Sequence, residues 1–138
     1  MSRIIQLDGV GKRRKKMTKE VVLAIRELMR QEEVNALTRD LAAFISMRLK
    51  SIYETIDLTV AAWEKRGYWV KADRFRLDWA WSGTLAQDLH DAIQAEDWQQ
   101  VAVTSAKAAQ KLNNVQVSER HRLGKPWIGA WDEFTLSG

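Results

Sequence analysis

Two histidines, His90 and His121, and no cysteine leave this chain few groups with which to do chemistry. Without thiols there can be no disulfide and no thiolate-bound metal. Dinuclear metal bundles draw Glu from two helices and a Glu-x-x-His pair from each of the other two. The position three residues before His90 is Gln87, so that motif is missing. No G-x-S-x-G turn presents an activated serine. The G-V-G-K run at 9–12 lacks the length and the Ser/Thr of a phosphate-binding loop. The expectation is therefore a protein that is not an enzyme, with no catalytic residue, no metal and no cofactor.

The most site-like constellation is Asp73 and Arg76, three apart, inside the aromatic stretch Trp63–Trp81. That stretch holds four of the seven Trp, so whatever the aromatics do is concentrated there. On a helix of 100° per residue its apolar positions cover over half the circumference, and Asp73 and Arg76 fall within the apolar arc. A charge there is costly unless paired. One reading is an internal ion pair, extended to Glu64, Arg74 or Tyr68, that fixes helix register. The other is a polar patch in an aromatic pocket, with Trp69, Asp73, Phe75, Arg76, Trp79 and Trp81 as ligand or interface residues.

A third feature is the basic run Lys12, Arg13, Arg14, Lys15 and Lys16. Residues 1–16 carry six basic groups against one acid, and the rest of the chain carries 16 against 17, so the net +4 belongs to the amino-terminal arm. Nucleic-acid association, if any, is expected through those five residues with help from Arg120, Arg122 and Lys125. Between Leu77 and Ala106 there is no Lys or Arg, while Asp78, Asp88, Asp91, Glu96 and Asp97 all fall there.

The elements that must position these groups read as helices. One proline and seven glycines are too few turn signals for an all-β fold, and strong helix formers abound. Ser2–Val10 reads as a short extended segment, and Gly9 and Gly11 release the chain into the basic run. A first helix is expected from an N-cap at Thr18 to about Val34, with Val21, Ile25, Leu28 and Met29 as its stripe. After a turn at Asn35–Thr38, a long helix from Arg39 to Lys65 carries Leu41, Ile45, Leu49, Ile52, Ile56, Val60 and Trp63 in one arc. Gly67 should close it. The third helix starts near Tyr68 and is expected to kink or break at Ser82–Thr84 before resuming to Ala95. Asp97 should cap a fourth helix, Trp98 to Leu112, and Pro126 should open a last turn to Phe134.

The fold class expected is all-α: an antiparallel up-down four-helix bundle with two long central helices and packed terminal segments. Residues 1–17 would be the basic arm, 18–113 the bundle, and 114–138 a tail packing on the bundle or on a partner subunit. No apolar run approaches the ~20 residues of a membrane span, so the chain is expected to be soluble, cytoplasmic and without a membrane partner. The leading expectation is an interaction or assembly module, a homo-dimer or a binder of another protein. Nucleic acid through the arm, or a small ligand in the aromatic pocket, are the alternatives.

Overall fold

The computed structural model describes residues 7–136, and among them there are helices and no strands. The order is α1 (Leu7–Met29), α2 (Ala36–Lys65), α3 (Trp69–Gln94), α4 (Trp98–Lys111) and α5 (Ala130–Leu136). The bundle is built around α2, which packs against α1, α3 and α5, while α4 packs against α3 and returns to α1. α2 and α3 run antiparallel: Glu64 meets Arg76 near their corner, and Ser46 meets Ala86 farther along. None of these helices is long and apolar enough to cross a membrane.

The core follows the expected stripe. Leu41, Ile45, Leu49, Ile52 and Ile56 of α2 are fully buried, and Met17, Val21, Ala24, Ile25 and Leu28 meet them from α1. Repeats of 3–4 residues put each set on one helix face. The α2–α3 corner closes as a Schellman turn: Gly67 sits at φ +82°, its N–H reaches Glu64 O, and Tyr68 N–H reaches Trp63 O. Glu96 closes the α3–α4 corner in the same way at φ 54°, a conformation that strains any residue but glycine.

Several boundaries differ from expectation for identifiable reasons. Leu7–Val10 is helical rather than extended, and Ser2–Gln6 lies outside the described residues. α1 thus runs through Gly9 and Gly11 and through the basic run, and stops at Met29 rather than Val34. Thr18 is not a cap; its hydroxyl donates to Lys15 O within the helix. Asn35–Thr38 is not a free turn, because Asn35 caps α2 in a reciprocal box with Thr38. Ser82–Thr84 does not break α3, which is continuous from Trp69 to Gln94: the Ser82 hydroxyl donates to Trp79 O at 2.7 Å and the Thr84 hydroxyl to Ala80 O at 3.4 Å. Asp97 caps α4 as expected, accepting from Gln100 N–H. Pro126 begins a turn over residues 126–129 but not the helix, which starts at Ala130. Asp40 of α2 supplies the end group instead, accepting from Gly129 N–H at 3.3 Å and Trp131 N–H at 2.9 Å.

Candidate functional site

The aromatics of α3 divide between two environments. Phe75 meets Trp63 of α2 edge-on at 5.0 Å and lies 6.3 Å from Trp79, which stacks on Trp81 at 5.7 Å. Phe75 and Trp79 pack against Ile56, Val60 and Ala72, so this ladder belongs to the seam between α2 and α3. Trp69, by contrast, is 60% exposed. Asp73 is on the surface too, with 65% of its side chain exposed, which corrects its placement in an apolar interior. Arg76 donates to Asp73 at 2.9 Å and to Glu64 at 3.2 Å. The hydrogen bond to Glu64 is the main reason its guanidinium is held above its ordinary pKa. The six residues expected around one pocket therefore form a packed ladder, a surface ion cluster and an exposed Trp.

The basic run is also divided. Arg14 is half-buried, and its guanidinium donates to Thr55 Oγ1 at 3.0 Å, Thr55 O at 3.1 Å and Thr59 Oγ1 at 2.6 Å. Its plane lies 4.9 Å from the Phe75 ring centroid, so one side chain ties α1 to α2 and α3. Burial lowers its pKa from the ordinary arginine value. Lys12, Arg13, Lys15 and Lys16 are exposed, within about 160° of arc at 100° per residue. Arg120, Arg122 and Lys125 are exposed in the segment between α4 and α5. One further cation pairs across helices: Arg48 Nε lies 3.5 Å from the buried Glu20 of α1.

Two surface features of α3 stand out. Val70 and Leu77 are 74% and 76% exposed. Their flank of α3 stays open farther along the helix, where Thr84 and Asp88 are exposed too. The second feature is a cleft of about 630 Å³ between α2 and α3, lined among others by Lys50, Tyr53, Gly83 and His90 and bordered by Phe134 of α5. Sequence reading missed the cleft because its residues come from three helices. The nearest signal was Gly83 among bulky neighbours, read there as a helix interruption. Among the described residues no three His, Asp or Glu side chains gather closely enough to hold a metal ion.

No known protein family, no curated protein and no solved structure matches this chain.

Proposed function

We propose that this protein is a non-enzymatic assembly module that pairs with a second copy of itself along the outer face of α3. The observation that carries the reading is the exposure of Trp69, Val70 and Leu77 on one side of that helix. They fall within about 100° of arc at 100° per residue. Each such side chain left in water forgoes roughly 1.5–3 kcal/mol of burial, and clustered apolar exposure is how docking faces are recognised.

Spacing supports a second copy as the partner. Two α3 helices laid antiparallel about a two-fold axis level with Asp73 bring Trp69 and Val70 of each copy to Leu77 of the other, so the patch is its own complement.

Light scattering coupled to gel filtration tests this reading. The wild-type chain is expected at about twice its 15.9 kDa mass, and Leu77→Glu at the monomer mass with helicity unchanged. A wild-type protein that is monomeric at ~100 μM, well above a typical ~1 μM dissociation constant, removes the reading.

A further inference from the structure

The cleft between α2 and α3 is lined from α3 by Ala80, Gly83, Thr84, Ala86, Gln87 and His90, which follow Leu77 along the helix. Its volume of about 630 Å³ is in the range of sites that enclose small organic ligands. Its shape has a definite cause. A Cβ placed on Gly83 would stand 3.0 Å from Cγ and Cδ1 of Tyr53, so the Tyr53 ring lies directly on the α3 backbone. At the far end α5 sets Phe134 against the His90 ring, centroids 5.1 Å apart. Met47 and Ala80 contribute further apolar surface along the groove.

Its charge is the opposite of its surroundings. The half of α3 that carries it belongs to the stretch from Leu77 to Ala106, which has five carboxylates and no Lys or Arg. Yet the lining includes one Lys, one His and no Asp or Glu. Lys50 has no carboxylate partner among the described residues. His90 Nδ1 is shielded from solvent and has no hydrogen-bond partner among them. The closest carboxylate oxygen, Asp91 Oδ1 at 3.7 Å, instead accepts from Gln87 Nε2 at 2.9 Å. A cation and an unmatched imidazole nitrogen over an apolar floor match one class of ligand: an apolar or aromatic body carrying one carboxylate.

We propose that this cleft binds a small aromatic or branched carboxylic acid. The carboxylate pairs with Lys50 and the body lies between Tyr53 and Phe134. Charge-assisted contacts of this kind account for a large part of a small ligand's affinity.

The test is a titration of the ¹⁵N-labelled full chain with 2-naphthoate and with its neutral counterpart 2-naphthamide, followed by amide shifts. The acid is expected to move Gly83, Thr84, Gln87 and His90. Replacing it by the amide, or Lys50 by Gln, is expected to weaken binding about tenfold or more, the equivalent of ~1.4 kcal/mol. Lys107→Gln, on α4 and outside the cleft, should change it less than twofold. Equal binding of acid and amide overturns the proposal, as does binding indifferent to Lys50→Gln. Shifts centred on Trp69–Leu77, or none at ~5 mM acid, where even a ~1 mM site is filled, overturn it too. Titrating Leu77→Glu, which keeps every residue of the cleft, in parallel separates this proposal from self-association, and the acid is expected to bind it at least as well as the wild type.

Discussion

Arg14 shows how much one side chain's surroundings decide its role. It sits in the middle of five consecutive cations, yet its guanidinium satisfies two threonines of α2 and lies over Phe75 of α3. Hydrogen bonds from a charged group are worth more than neutral ones, and truncation leaves buried Thr55 and Thr59 without their donor. Arg14→Ala is expected to lower unfolding stability by about 2 kcal/mol, whereas Arg13→Ala should change it by less than ~0.5 kcal/mol. Urea denaturation of the two variants side by side measures the difference. Equal effects would mean that the Arg14 contacts contribute nothing. Lysine is no substitute at this position, since it has neither the planar face for Phe75 nor the fork that reaches both threonines. Arg76 has a different situation: its partners Glu64 and Asp73 lie at the surface, where solvent screens the pair.

At the scale of elements, short helices are held by what they dock on. α5 has only seven residues, too few to be stable alone. Its attachment is Asp40 at the amino end, Trp127 and Phe134 buried below it, and an edge contact between Trp127 and Phe44 at 6.5 Å. Asp40→Ala should therefore free α5 while leaving the other helices in place. Hydrogen exchange is expected to lose protection at Trp131 and Phe134 without losing it at Ile45 or Leu89; unchanged protection at Trp131 would show that the carboxylate is dispensable.

Most of the helix pattern was legible in sequence, because stripes such as Leu41–Val60 repeat with the helical period and corners such as Gly67 and Asp97 carry their usual cap residues. The role of Asp40 was not legible, since its partners lie 89 and 91 residues away. The continuity of α3 was hidden for a related reason. Ser, Gly and Thr in a row look like a break until Tyr53, from another helix, is seen resting on Gly83. The exposure of Leu77 depends on which side of α3 the other helices cover, and Thr84 and Asp88 on the same flank are exposed too.

For the whole molecule, two-fold pairing adds a charge to the argument from apolar exposure. Asp73 lies between Trp69 and Leu77 on the same side of α3 and is exposed. In an antiparallel pair centred there, the carboxylates of the two copies face each other. Asp73→Asn should strengthen self-association severalfold by removing the like charges, and raised salt should tighten the wild type. Sedimentation equilibrium on both proteins at low and high salt decides the matter; an Asp73→Asn variant no tighter than the wild type would dismiss the two-fold arrangement.

The position of α5 has a further consequence, for the order in which the chain becomes protected. α2 and α3 are neighbours in sequence and can close on each other as soon as both exist, since local contacts form quickly. The strip of α2 around Phe44 has no such early cover. It must wait for Trp127 and Phe134, synthesised more than eighty residues later. Throughout that interval the nascent bundle presents an apolar strip to the cell, which is the condition under which chaperones bind and incomplete chains aggregate.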